Sequence, residues 1–231
     1  MSRSLFTSRE GGVSSAPYLS FNLATHVGDD VEAVHKNREI LAASFGIVRH
    51  SLFFMNQVHG RDVAVIDENS SSADLPAVDA LFTTSKGIAL VTLVADCIPL
   101  LLHSPRAVAA VHVGRKGLIA GVFQETLKHF HNHGIDSSEI KAELGPSICG
   151  RCYEVDQILY QEVVSILPST STTYQSTAGK PSLNIEAGLI SLLKSHGIQS
   201  NSSHLCTVHD SGYFSYRRDG ITGRQAGVIT L

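Results

Sequence analysis

A chain of 231 residues with a net charge of −3 and no block of like charges is long enough for one large core or two small ones; this balance argues against nucleic-acid binding through a basic surface and leaves room for a local basic pocket. The N-terminal MSRSLFTSREGG has no apolar segment of the signal-peptide kind, and the longest apolar runs are broken by Asp96 and Pro99, too early for a membrane span. Four cysteines are too few for a disulfide scaffold and fit a reducing cytoplasm.

In chain order, Ser4 to Ser8 reads as a short strand leading to a turn at Gly11-Gly12. Residues 21–29 have weak periodicity and form a loop that holds Asn22, His26 and Asp29. Asp29 is the expected N-cap of the next helix, with Glu32 in the capping-box position. That helix carries Val31, Val34, Leu41 and Phe45 on one stripe and stops at Gly46. Arg38 falls on the same stripe, where a guanidinium either snorkels from the edge or meets a buried partner or an anion. Leu52 to Met55 and Arg61 to Asp67 read as a hairpin with His59 near its bend. Glu68 to Pro76 is a polar surface loop, and Asp79 to Thr84 re-enters a sheet.

Gly87 to Gly117, GIALVTLVADCIPLLLHSPRAVAAVHVGRKG, is the stretch around which the chain is organised. Its apolar, β-branched runs, bounded by Gly and Pro, predict buried strands with a tight return at Ser104-Pro105. Asp96-Cys97 and His112 stand at strand ends, where reactive or charged groups are costly to bury unpaired. Singly, each fits an ordinary core residue; together they suggest a shared chemical task.

Leu118 to Phe130 turns helical, and His129, His131 and His133 at its end fit a frayed last turn better than a metal site, because neighbours two apart on a helix diverge. Glu139 to Leu144 reads as a strand. Cys149 and Cys152 have C-x-x-C spacing, which suits redox or zinc chemistry, but a second Cys/His pair at close spacing is missing, so loop thiols of structural role are expected. Residues 153–166 and Asn184 to His196 read as helices, with a Ser/Thr-rich loop from Pro168 to Pro181 between them. His204 to Val208 is a predicted strand, and Ser211 to Gln225 a polar loop whose Arg217, Arg218 and Arg224 form a solvated face or an anion site. A last strand runs from Ala226 to Leu231. Strands and helices neither alternate strictly nor segregate, and no linker divides residues 1–231. The expectation is one α+β domain of mixed sheets layered with helices.

His59, Cys97 and His112 each follow a predicted strand, and two His with one Cys match a three-ligand zinc site with an open fourth position. The same residues also suit a thiolate nucleophile with a His base and no metal. A multicopper oxidase would need many more clustered His ligands.

Six ordered motifs carry a resemblance. They are Asn22-Leu23 with His26-Val27-Gly28-Asp29-Asp30; Gln57-Val58-His59-Gly60; Ala95-Asp96-Cys97-Ile98-Pro99; His112-Val113-Gly114; Gly145-Pro146-Ser147-Ile148 with Tyr153-Glu154-Val155; and Ser215-Tyr216-Arg217-Arg218 with Thr222-Gly223-Arg224. Together they span nearly the whole chain, which resembles the laccase-domain family, first labelled polyphenol oxidases and later purine nucleoside phosphorylases. The resemblance implies an α/β/β/α-like layered fold and a catalytic zinc trio of His59, Cys97 and His112, with copper as the lesser alternative. It also implies phosphorolysis of adenosine, inosine and methylthioadenosine, together with adenosine deamination. Arg38, Lys116, Arg217 and Arg224 become the candidate phosphate and substrate contacts. A metal-free cysteine amidase editing cell-wall precursors and a zinc-stabilised binding protein are the competing expectations. The chain departs from the family's usual His-Ala-Gly-Trp-Arg-Gly, carrying Arg115 and Lys116 where Trp and Arg are usual. An aromatic surface is lost and a point charge replaces a guanidinium fork.

Overall fold

The apolar runs of the central stretch become strands covered on both faces. In a computed structural model, which describes residues 2–74, 76–175 and 179–231, they form the middle of two sheets packed back to back. The strands are β1 (Arg3–Phe6), β2 (Leu52–Phe53), β3 (Val63–Val65), β4 (Ala80–Thr83), β5 (Ala89–Val94), β6 (Ile98–His103), β7 (Val108–Val113), β8 (Lys141–Leu144), β9 (Ser171–Gln175), β10 (Pro181–Leu183), β11 (Gln199–Ser202) and β12 (Gln225–Thr230). The helices are α1 (Val31–Phe45), α2 (Arg115–Ala120), α3 (Val122–Asn132), α4 (Gln157–Ile166), α5 (Ile185–Ser195) and α6 (Tyr216–Asp219). One sheet has the order β1-β12-β5-β2, the other β11-β8-β6-β7-β4-β3, and β9 and β10 form a separate hairpin.

Side-chain alternation assigns each strand to two layers. Leu90, Leu101, Val108 and Ala110 meet between the sheets. Ala89, Val91 and Leu93 face the other way, against Leu41 and Ala42 of α1. Leu100, Leu102, Ala109 and Val111 pack on Phe123, Leu127 and Phe130 of α3. The result is an α+β fold with α/β/β/α layering. Two covered faces explain why these strands read as unbroken apolar runs rather than as alternating ones.

Several expectations need correction. β2 and β3 are not a hairpin: β2 runs parallel to β5 in one sheet and β3 parallel to β4 in the other, so the turn holding His59 crosses between sheets. The helix cap is Asp30, which accepts from the Glu32 N–H, while Asp29 binds the Asn22 amide instead. The helix expected over 118–130 starts at Arg115 and is interrupted at Gly121, whose φ of +91° suits glycine. His129 and His131 stand in the last turn of α3 with His133 at its cap, as expected; His129 and His133 lie against the Phe82 ring, and His131 meets Ser137 Oγ at 3.1 Å. The helix expected from 153 begins at Gln157, capped by Asp156. Part of the Ser/Thr-rich loop is the β9–β10 hairpin; residues 176–178 lie outside the described residues. The strand near 204–208 is displaced to β11, which pairs in parallel with β8. Among the described residues no helix is long and apolar enough to cross a membrane.

Candidate metal centre and its cavity

Three chain segments converge where strands of both sheets end. Cys97 sits between β5 and β6, directly after Asp96, whose φ of +97° is rare for a residue with a side chain. His112 lies on β7 opposite Pro99 of β6. His59, at φ +58°, crowns the turn between β2 and β3. One ligand atom from each of the three falls within 4.8 Å of the others, and the imidazole rings meet edge to face at 4.8 Å. Non-glycine residues in the left-handed region persist where their surroundings hold them, commonly at functional sites.

Asp79 holds this geometry in place. Its side chain is fully buried; it accepts the His112 Nδ1–H at 2.7 Å and the backbone N–H groups of Val58, His59 and Gly60 at 3.2, 3.0 and 2.6 Å. One carboxylate therefore shapes the His59 turn and turns the second nitrogen of His112 away from itself. Gln57 fixes the same turn from the other side, its amide pairing with both the N–H and the C=O of Leu93. Gly114 leaves room for the cluster: a Cβ there would lie 2.8 Å from His59 Nδ1 and 3.1 Å from Cys97 Sγ.

The charges are set apart within the cluster. Burial pushes the His112 pKa down, but the Cys97 sulfur and Asp79 outweigh it and raise it to about 9. Burial and neighbouring His112 lower the pKa of His59, against the pull of Asp79. Asp79 is pushed up by burial, yet the His112 ring and the Gly60 N–H hold it below the usual carboxylate range. Two imidazoles and a thiol, with one imidazole backed by a carboxylate, form a donor set that suits a zinc-class ion.

The cluster forms one end of an open cavity of about 560 Å³, a size typical of small-molecule sites. Tyr153, Tyr216, Arg217, Arg224 and His26 are among its other lining residues. Arg224 is partly buried, and its backbone N–H is held by the Asn22 side chain. Arg217 lies over the Tyr153 ring at 5.3 Å and donates to the carbonyls of Cys152 and Glu154. Burial lowers the His26 pKa, and the charges of Arg224 and Arg38 lower it further.

The other sequence-selected cations stand elsewhere. Arg38 does not line the cavity: its Nε donates to the Leu23 carbonyl and its guanidinium lies 3.8 Å from the centre of the Phe54 ring. Lys116 is exposed on the first turn of α2, outside the cavity lining though close enough to lower the His59 pKa. Arg218 is consumed by Asp219 and the carbonyls of Thr207 and Tyr213.

Sequence reading missed Asp79, His26, Gln57 and the two cavity tyrosines as site components. For Asp79 a signal existed, since a carboxylate leading into an apolar strand needs partners. It also missed the surroundings of Cys149 and Cys152, which are met in space by Cys206 and His209.

Two mixed sheets layered between helices, with a two-His, one-Cys cluster at converging strand ends beside an arginine-edged cavity, define an α+β protein with a cluster that could hold a metal ion. The chain belongs to the family described as multi-copper polyphenol oxidoreductase laccase, whose profile matches residues 3–231. It is 44% identical over 230 residues to a purine nucleoside phosphorylase of Streptomyces coelicolor, covering 98% of this chain and 94% of that one. It is 43% identical over 233 residues to a purine nucleoside phosphorylase of Corynebacterium glutamicum, covering 99% and 94%. Among solved structures, a Neisseria meningitidis protein superposes with a TM-score of 0.88 at 35% identity over 100% of this chain and 94% of that one. YlmD of Geobacillus stearothermophilus does so at 0.86 and 30% over 99% and 91%.

Proposed function

We propose that the chain is a zinc-dependent purine nucleoside phosphorylase that acts on adenosine, inosine and methylthioadenosine and also deaminates adenosine. The observation that carries this reading is the meeting of His59, Cys97 and His112 at one end of a cavity whose rim bears Arg217 and Arg224. The names of the similar proteins point the same way.

Phosphorolysis needs an anion held in line with the bond between ribose and base. A phosphate oxygen bonds to C1′ while the C1′–N9 bond breaks toward the base, leaving ribose 1-phosphate and free purine. Arg224 and Arg217 hold the phosphate through charge-assisted hydrogen bonds. Tyr153 and Tyr216 offer ring faces to the purine. His59, Cys97 and His112 would hold a zinc ion, which would supply Lewis-acid chemistry at this end of the cavity. With water in place of phosphate, addition at the amine-bearing purine carbon and loss of ammonia give deamination.

A second reading has its own support. Cys97, His112 and Asp79 stand in contact in that order, the arrangement of a thiolate, its imidazole partner and an orienting carboxylate. A metal-free cysteine amidase would use these three and leave His59 without a role.

The test is chromatography of each nucleoside incubated with and without phosphate, before and after metal removal, with elemental analysis of the purified protein to identify zinc or copper. Free base that appears only with phosphate, and is lost on chelation, supports the phosphorylase. Hydrolysis of a cell-wall amide that survives chelation but not iodoacetamide, with no base released from any nucleoside, supports the amidase. Metal-dependent melting with no product from any nucleoside would leave a binding protein.

A further inference from the structure

Cys149 and Cys152 are not isolated loop thiols. Their sulfurs, Cys206 Sγ and a ring nitrogen of His209 all lie within 4.8 Å of one another, with Cys152 Sγ 3.1 Å from His209 Nε2. We propose that Cys149, Cys152, Cys206 and His209 form a second metal site, separate from the cavity cluster, that binds a zinc-class ion in a closed, structural manner. Four protein ligands in a Cys₃His set leave no open position, which distinguishes structural zinc from catalytic zinc. Zinc–sulfur bonds of about 2.3 Å place tetrahedral ligand atoms about 3.8 Å apart, so only small side-chain adjustments separate the observed spacing from coordination.

The backbone is built for it. Each half, Cys149-x-x-Cys152 and Cys206-x-x-His209, is a tight turn closed on the carbonyl of its first cysteine. The N–H groups of Cys152 and Tyr153 bond Cys149 C=O at 3.0 and 3.2 Å, and those of His209 and Asp210 bond Cys206 C=O at 3.1 and 2.9 Å. A short parallel bridge between Ser147 and Cys206 sets the two turns side by side. The Cys149 N–H points at Cys206 Sγ at 3.4 Å, the kind of donor that stabilises a thiolate. Gly150 is required in the first turn because a Cβ would meet Asn184 Cβ at 2.8 Å. A simple redox pair would need only Cys149 and Cys152; the third sulfur and the imidazole at the same spacing are what a metal uses.

The position gives the ion a purpose. Ile148 and Tyr153, which flank the first turn, line the cavity. Thr207, inside the second turn, donates to Asp96, the neighbour of Cys97, at 2.6 Å. An ion here would clip together two segments, 57 residues apart, that support the cavity wall.

The chain has four cysteines, so Cys97→Ala leaves only the three of this cluster. The C97A protein, purified from zinc-supplemented cells, should carry one zinc per chain. Exchange with Co²⁺ should give a thiolate-to-cobalt charge-transfer band and strong visible bands of tetrahedral cobalt. Adding Cys206→Ser should abolish both. Because that variant risks misfolding, C97A with His209→Ala, at an exposed position, is the second probe and should bind zinc at least tenfold more weakly. A folded C97A protein that takes up no stoichiometric zinc or cobalt, or one that holds a stable Cys149–Cys152 disulfide in reducing buffer, would overturn the proposal. Neither readout depends on nucleoside turnover or on the cavity cluster.

Discussion

The Asp79 carboxylate accepts the His112 Nδ1–H at 2.7 Å while three backbone N–H groups of the His59 turn bond to the same side chain. One fully buried residue thus aligns two of the three candidate ligands, which come from turns and strands in different sheets. Partners of this kind fix the tautomer and orientation of a ligating histidine.

Replacing Asp79 with Asn should therefore weaken metal binding by about 10- to 100-fold, the range found for such supporting residues. The amide has one acceptor oxygen for bonds that the carboxylate shares between two, so stability should also fall by roughly 1–3 kcal/mol. Competition against a chromophoric chelator measures the first effect and denaturant unfolding of the metal-free protein the second. A fall in stability with unchanged metal affinity would reduce Asp79 to a folding role.

The raised pKa of His112 sets the pH dependence of metal binding. With a value of about 9 the metal-free protein holds a proton on this ring at neutral pH, and a metal must displace it. Metal affinity should rise with pH up to about 9, by roughly tenfold per unit for one released proton. The metal-free protein behaves in the opposite sense. A folded pKa above the unfolded value contributes stability that is complete below about 6.5 and is lost as pH rises through 9. The gap in melting temperature between metal-loaded and metal-free protein should widen across that window. A constant gap would contradict protonation of His112.

The arginines should separate by place. Arg217 and Arg224 border the cavity, whereas Arg38 spends its guanidinium on Leu23 and Phe54. Arg224→Ala should raise the KM for phosphate by roughly 10- to 100-fold, the equivalent of one charge-assisted contact worth about 1.5–3 kcal/mol. Arg217→Ala should act in the same direction. Arg38→Ala should lower melting temperature instead, with a smaller change in KM. Steady-state kinetics at varied phosphate decide the order, and a dominant effect at Arg38 would move the anion toward α1.

Much of this arrangement is legible in the sequence where local patterns suffice. The β6–β7 return puts Cys97 and His112 at the same end of one hairpin, and the apolar runs around them, short and bounded by Gly and Pro, read as strands buried on both faces. Periodicity does not say to which sheet a strand belongs. Leu52–Phe53 and Val63–Val65 look like two arms of a hairpin, and only the back-to-back sheets show the intervening turn carrying His59 across. Gly121 breaks its helix because the chain needs a positive φ there, although a lone glycine in a helical pattern is often tolerated. The pairing of Cys149-x-x-Cys152 with Cys206-x-x-His209 escaped a search for close spacing, because a parallel bridge, not proximity in sequence, unites them.

Gly114 offers a substitution that separates the metal site from the fold. Its φ of −87° and ψ of 170° are open to any residue, so alanine introduces no backbone strain. The added methyl would instead stand 2.8 Å from His59 Nδ1 and 3.1 Å from Cys97 Sγ, too close for either ligand to stay where it is. His59 is exposed and its ring can swing outward, so the collision is relieved by losing a ligand rather than by disturbing the core. Gly114→Ala should leave the melting temperature of metal-free protein nearly unchanged while lowering metal affinity at the cavity cluster by about tenfold or more, since ligand sites tolerate displacements of only a fraction of an ångström. Calorimetry of the metal-free variant, paired with a metal titration, reads both quantities. Wild-type affinity in a normally folded G114A protein would show that the metal does not depend on His59 in its present position, and would remove that residue from the ligand set.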